Sequence, residues 1–313
     1  NHKKALAYAN KSIIADRNNF YGYYRKGFVY YMSEKYEKAL ENFLKAVSLI
    51  KEEAAEVYDM YPRISWIYQN IKGDIENAKK YAKISIDIMP DYDFAQYRMG
   101  CIYLYADKNY KEAAKYFKKA LALKMGETDI YVYYDVGKNY FSMKKYAQAL
   151  KYVEMGLSIQ PENLGLCSVK ISILYKQRKY EEVRTLLQGA LEKYPDDIWV
   201  QQANAMILAH FKQFDDAVKI LEPIRKDLQE VNVYALFVLA NCYFKKKEYE
   251  KSLETFLEYS QKEYLEYLEK QDIRSIRSFI KELSKLFPND DRLNQIEEIF
   301  KPVLNPIEWT NVT

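Results

Sequence analysis

Glycine and proline are scarce in this chain, with 9 and 8 residues in 313. That scarcity argues against a loop-rich, turn-dense β architecture and fits a chain that is almost wholly helical. Histidine is scarcer still. His2 and His210 are distant in sequence, and neither has ligand spacing to a cysteine or to the other. No glycine-rich phosphate loop, GxSxG elbow or HExxH pair is present. The expectation is a chain without catalytic residues, metal or cofactor, with His210 a surface histidine. No apolar run approaches the roughly 18 residues of a membrane helix, and no signal peptide is visible. The three cysteines, Cys101, Cys167 and Cys242, lie far apart in sequence. They read as reduced thiols of an intracellular, cytoplasmic protein. Charge of one sign is also lacking. The 48 basic and 44 acidic residues leave a net +4, which gives no case for nucleic acid or acidic lipid as partner. Lys245, Lys246 and Lys247 read as a solubilising turn, and paired acids such as Glu181 and Glu182 as solvated helix faces.

What is abundant is aromatic and periodic. Thirty-two residues are tyrosine. Composition does not separate codon bias from a functional cause of that excess, but the positions are patterned. From Phe20 to Glu53, Tyr23, Gly27 and Tyr30 recur at helical spacing, and after a polar turn so do Ala39, Phe43 and Ala46. Two such helices cannot bury their apolar faces alone. The pattern returns about every 34 residues, so neighbouring copies complete the core. The marker residue after each turn is Ala5, Ala39, Ala78, Ala113, Ala149, Val183, Ala217 and Ser252, with steps of 34, 39, 35, 36, 34, 34 and 35. Eight residues into the first helix stand Gly27, Gly100 and Gly137, then Ala205 and Ala240. A glycine inside a helix costs about 1 kcal/mol against alanine, so its recurrence requires a close helix–helix contact, expected against the marker alanine. Pro90, Pro161 and Pro195 each stop a second helix, with Asp91, Asn163 and Asp196 as the expected caps.

The combination of an aromatic, Gly and Tyr on one helix with Ala, Phe and Ala on the next resembles the tetratricopeptide repeat family. Tyr133, Val136, Gly137, Tyr140 and Ala149 repeat it, as do Gly100, Tyr103, Ala113, Phe117 and Ala120. The resemblance covers about residues 3 to 260. It implies an all-α fold: a right-handed superhelical solenoid of antiparallel helix pairs. Residues 1–19 are expected to be a lone second helix of a truncated repeat, and 20–260 to hold seven repeats. Capping helices are expected over 261–301, and 302–313 to be a non-helical tail. The chain begins at Asn1, in mid-repeat, and so reads as a fragment. Pro62 is expected to bend or restart its helix, and Pro223 to kink the helix it lies in.

The resemblance also implies a concave groove lined by the first helices. Its inward positions are Tyr21, Tyr24, Phe28 and Tyr31, then Phe94, Tyr97, Cys101 and Leu104, then Tyr131, Tyr134, Lys138 and Phe141. Two further sets are Trp199, Gln202, Met206 and Ala209, and Tyr234, Phe237, Asn241 and Phe244. These rings either pack between units or form an aromatic groove for an extended peptide, with Arg25 and Arg98 available to an acidic group. The carboxylate clamp of the chaperone-tail binders needs lysine where Tyr24, Tyr97 and Tyr134 stand, and is judged absent. The expected function is a non-enzymatic protein–protein interaction scaffold binding a peptide or protein surface. The alternative is the recruiting arm of a larger enzyme, such as a transferase. The sequence carries no signal for an oligomeric state.

Overall fold

The computed structural model describes residues 2–50, 58–225, 234–261 and 270–304. It is 81% helical, and no strand occurs among the described residues. The chain forms two compact units, Asn1–Gln177 and Arg178–Thr313.

In the first unit, helix α1 (His2–Ala15) lies on α2 (Phe20–Tyr31), which turns back into α3 (Tyr36–Leu49). Three more hairpins follow: α4 (Met60–Ile67) with α5 (Ile75–Ile88), α6 (Asp93–Tyr105) with α7 (Tyr110–Ala122), and α9 (Tyr131–Ser142) with α10 (Tyr146–Ile159). A single turn, α8 (Met125–Thr128), links the last two, and α11 (Leu164–Lys176) packs on α9 and α10. The first helices α4, α6, α9 and α11 lie side by side. The second unit holds α12 (Tyr180–Lys193), then the hairpins α13 (Ile198–His210) with α14 (Phe214–Leu221), and α15 (Tyr234–Lys245) with α16 (Tyr249–Ser260). Helices α17 (Lys270–Leu286) and α18 (Asp291–Leu304) close it, burying Ile276, Phe279, Leu283, Ile296 and Phe300 in one core with Phe256 and Tyr259.

The turn inside each hairpin is built one way. Glu34, Gly73, Lys108, Lys144, Arg178, Lys212 and Lys247 all have φ between 52 and 67°. Each stands five residues before its marker residue, so the turn repeats with the same spacing as the helices. In four of these turns the next N–H reaches back five residues, as in Lys35 to the Tyr30 carbonyl at 2.9 Å and Lys145 to Tyr140 at 2.9 Å. This is the backward bond of a Schellman motif, which consumes an orphan carbonyl at the helix end. The carbonyl of that same residue then accepts from the marker's N–H (Ala39 to Lys35, 2.9 Å), opening the second helix. The left-handed position tolerates an unbranched side chain at a cost but opposes a β-branched one. Lys144→Val should therefore lower stability by about 1–2 kcal/mol, while Lys144→Gly should not lower it. Urea unfolding of the two variants checks this; equal midpoints would mean the turn relaxes.

The glycines have a different neighbour from the one expected. A Cβ on Gly27 would stand 2.6 Å from the Phe43 ring, on Gly100 2.6 Å from the Phe117 ring, and on Gly137 2.5 Å from a Val153 methyl. The glycine makes room for the large side chain one turn beyond the marker alanine, and the marker itself is fully buried. Ser252 fits the marker position in the second unit because its hydroxyl donates to the Ala240 carbonyl at 2.8 Å.

Four further expectations are corrected. Pro62 does not bend α4: the helix begins at Met60, and the proline stands in its first turn, where its missing N–H would have had no intrahelical partner. Pro223 does not kink a helix; α14 ends at Leu221 and the proline sits in the following turn. The caps after Pro90 and Pro195 are Tyr92 and Asp197, not Asp91 and Asp196. The Asp197 side chain accepts from Val200 N–H at 2.9 Å, whereas Asn163 caps α11 as expected, accepting from Leu166 N–H at 3.0 Å. Finally, α18 runs on to Leu304 through Pro302, which lies in its last turn and removes one helical bond there. The rest of the expected tail, 305–313, falls outside the described residues, as do 51–57, 226–233 and 262–269.

Candidate functional site

In the first unit the inward residues divide into an open set and a buried set. The open set lies at α1 and α2. The ring of Tyr21 is 38% exposed, Arg25 is exposed and Phe28 is half-buried. They line a largely apolar cavity of about 570 Å³ whose opposite wall is α1, with Ala5, Ala9 and Ser12. Small side chains on that wall leave the space open. Arg25 donates to the Tyr21 hydroxyl, and its guanidinium sits 4.8 Å from the Tyr21 ring centre and 5.7 Å from that of Tyr24. The pair forms a cationic, aromatic rim over an apolar floor.

Tyr24, Tyr97, Arg98 and, in the second unit, Phe237 do not line an open groove. They are 8%, 9%, 5% and 4% exposed. Each ring packs on the phenylalanine of its own second helix: Tyr24 on Phe43 at 6.5 Å, Tyr97 on Phe117 at 6.0 Å and Phe237 on Phe256 at 5.9 Å. The two phenols are then satisfied by aspartates. Tyr24 donates to Asp59 at 2.9 Å. Tyr97 donates to Asp135 at 2.5 Å, Tyr105 donates to the other oxygen of the same carboxylate, and the Cys101 thiol lies 3.6 Å away. Burial, reinforced by Cys101 and Asp135, pushes the Tyr97 phenol well above its ordinary range; burial and then Asp135 do the same to Tyr105. Arg98 donates to Gln69 at 2.5 Å, and its Nε has no acceptor.

Arg63 is a functional-site candidate that the sequence reading missed. Its guanidinium lies 5.0 Å from the Phe28 ring centre and 5.9 Å from those of Tyr31 and Phe94, and it pairs with Asp59 at 2.9 Å. Three of the expected groove aromatics therefore surround an arginine of the chain itself. The 39-residue step before Ala78 hid the inward register of α4. The structure absorbs part of it in a π-helical turn, Tyr68–Lys72, closed by Gly73 in the left-handed region. Further along, Tyr131 is 62% exposed, while Tyr134 and Lys138 are half-buried. Lys138 stands 4.6 Å over the Tyr105 ring and 5.3 Å over that of Tyr134.

In the second unit Trp199 and Tyr234 are half-buried. Asn241 lines a smaller cavity of about 400 Å³ between α15 and α17, with Phe244, Lys245, Arg274 and Ser278. His210 is exposed, stacked 3.6 Å from the Tyr180 ring. Among the described residues no group of His, Cys, Asp and Glu is placed to hold a metal ion, and no helix is long and apolar enough to cross a membrane. Cys101 and Cys242 are free, buried thiols.

Repeated helical hairpins with small residues at the crossing and a left-handed residue in each turn define an α-solenoid repeat protein. The chain belongs to the tetratricopeptide repeat family. Models of the tetratricopeptide repeat match residues 21–53 and 174–236, and the model described as anaphase-promoting complex, cyclosome, subunit 3 matches 106–190. The chain is 26% identical over 230 residues to a tetratricopeptide repeat-containing protein of Methanocaldococcus jannaschii, covering 71% of this chain and 39% of that one. It is 28% identical over 196 residues to the mitochondrial import receptor subunit TOM70 of Saccharomyces cerevisiae, covering 59% of this chain and 31% of the receptor subunit. It is 24% identical over 256 residues to YpiA of Bacillus subtilis, covering 79% and 55%. The chain thus spans roughly a third to a half of the length of these relatives. Among solved structures, a tetratricopeptide repeat protein of Parabacteroides merdae aligns with a TM-score of 0.62 at 12% identity, covering 90% of this chain and 98% of that one. The structure of the Cut9–Hcn1 hetero-tetramer of the APC/C aligns with a TM-score of 0.61 at 13% identity, covering 97% and 53%. At these identities the structural likeness bears on the fold alone.

Proposed function

We propose that this chain is a non-catalytic protein-interaction scaffold that holds a segment of a partner protein against α1 and α2. The cavity of about 570 Å³ at Tyr21, Arg25 and Phe28 carries the reading. An apolar cavity of that size with a few polar groups at its rim suits apolar side chains of a bound segment. Tyr21 and Arg25 are residue types that anchor protein interfaces, and both stay exposed here. The family is one of protein-binding repeats. Protein is favoured over nucleic acid by the near-balanced charge.

Affinity capture with the wild-type chain and with Tyr21→Ala/Phe28→Ala side by side, followed by titration of the captured partner, tests this. Truncating anchors of this kind costs about 2 kcal/mol or more, over tenfold in affinity. The double variant should therefore bind at least tenfold more weakly, with little change in melting temperature because neither ring belongs to the fully buried core. Unchanged affinity would remove the groove from the reading.

A further inference from the structure

Helix α17 carries a regular row of positive charge. Arg274, Arg277, Lys281 and Lys285 recur three and four residues apart, so they share one face, and all four are exposed. The opposite face, with Ile276, Phe279, Ile280 and Leu283, is buried in the core of the second unit. Lys285 is taken up by Glu282 at 2.8 Å, while among the described residues Arg274 and Lys281 enter no ion pair. Lys245, at the end of α15, joins Arg274 on the wall of the cavity of about 400 Å³. The hydrogen bond from Lys285, together with Lys281 and Lys245, holds the Glu282 carboxyl below its ordinary value, so the cations act on the same small region. Composition does not account for this, because acidic residues outnumber basic ones from Arg178 onward.

We infer that this face of α17 and its cavity bind an acidic peptide segment in extended conformation, a site separate from the groove at α1 and α2 and independent of it. Arg274 and Lys281 are two helical turns apart, about 10 Å. In a polyproline-like strand, residues three apart point the same way and lie about 9 Å apart. Carboxylates at every third position would therefore meet both cations in turn. Asn241 and Ser278 on the cavity wall supply hydrogen-bonding groups for the peptide backbone, and the half-buried Phe244 ring offers an apolar contact. An anionic membrane suits the face less well, because the apolar side of α17 is already buried and has nothing left to insert. Nucleic acid suits it less well too: Phe279 is buried and packs edge-on to Phe244 at 5.4 Å, so the half-buried Phe244 is a single ring rather than the row of open rings on which successive bases stack.

The test is fluorescence anisotropy on the full chain with a short labelled peptide carrying Glu at every third position. Poly-uridine and phosphatidylserine vesicles serve as competing probes. The peptide should bind in a salt-sensitive manner, and Arg274→Gln/Lys281→Gln should weaken it at least tenfold. Removing the same charge elsewhere in the unit, by Lys212→Asn/Lys301→Ala, should leave binding within about twofold. The substituted groups are exposed, and a circular dichroism spectrum establishes folding; should the double variant unfold, the single Lys281→Gln must still weaken binding severalfold. Equal binding by wild type and the Arg274/Lys281 variant overturns the assignment. So does equal loss in the control variant, or tighter binding of poly-uridine or vesicles through the same two residues.

Discussion

Gly100→Leu should unfold the first unit at a markedly lower temperature and urea concentration than the wild type. A Cβ at that position alone would stand 2.6 Å from Cδ1 and 2.7 Å from Cε1 of Phe117, closer than such atoms approach. The ring has nowhere to retreat: Phe117 is buried in a cluster with Ala113, Ala120 and Tyr97. Overpacking a tight core costs about 1–3 kcal/mol, occasionally more, and the leucine adds three carbons beyond the clashing one. The upper end of that range is expected, with Gly27→Leu similar because Phe43 holds the equivalent place. Gly189 provides the control. It is exposed on α12, and a Cβ there would meet nothing within 4 Å. Gly189→Ala should therefore raise stability by about 0.5–1 kcal/mol through helix propensity. If Gly100→Leu melts with the wild type, the ring repacks and the glycine is not a spacer.

The same contacts show what the sequence could and could not disclose. Spacing alone locates the hairpins, because Gly27, Gly100 and Gly137 recur where a helix interior would otherwise reject glycine. Spacing does not say what the glycine faces; that required the second helix to be set at its actual height, which puts Phe43 and Phe117 rather than Ala39 and Ala113 opposite. The left-handed turns are hidden for another reason. Lysine, arginine and glutamate carry no signal for positive φ, and six of the seven positions hold one of them. The division of the inward aromatics was likewise out of reach. Tyr21 and Tyr24 are both tyrosines on one helix, yet only Tyr24 finds a carboxylate, on a residue 35 positions away. A ring's fate depends on that distant partner, and periodicity within a helix cannot supply it. Arg63 escaped because an insertion broke the register, whereas Arg98, named as a candidate contact for an acid, proves buried on Gln69.

Asp135→Ala should destabilise the first unit by about 1–3 kcal/mol, more than Asp135→Asn, and Asp135→Asn more than Tyr97→Phe. The carboxylate is a shared acceptor, taking the Tyr97 hydroxyl at 2.5 Å on one oxygen and the Tyr105 hydroxyl on the other. Removing it strands the buried Tyr97 phenol, at about 1–3 kcal/mol for the unsatisfied group, while the exposed Tyr105 hydroxyl turns to water. Asparagine keeps one acceptor oxygen but turns a donor toward the second phenol. Tyr97→Phe removes donor and demand together and keeps the ring on Phe117. The cluster also sets an alkaline limit. Tyr97 and Tyr105 are both raised, chiefly by burial and then by their charged neighbourhood, and Tyr92 is pushed up to about 12, again chiefly by burial. In the unfolded chain these phenols lose their protons near pH 10. Their contribution is therefore complete below about pH 10 and is lost as pH rises beyond it, because the unfolded state then binds fewer protons than the folded one. The wild-type melting temperature should fall steeply above about pH 10. In Tyr97→Phe, which removes one of the raised phenols, the alkaline slope should be shallower. Melting curves from pH 8 to 11 on both proteins decide it, and parallel slopes would show that the Tyr97 phenol does not titrate differently in the folded and unfolded chain.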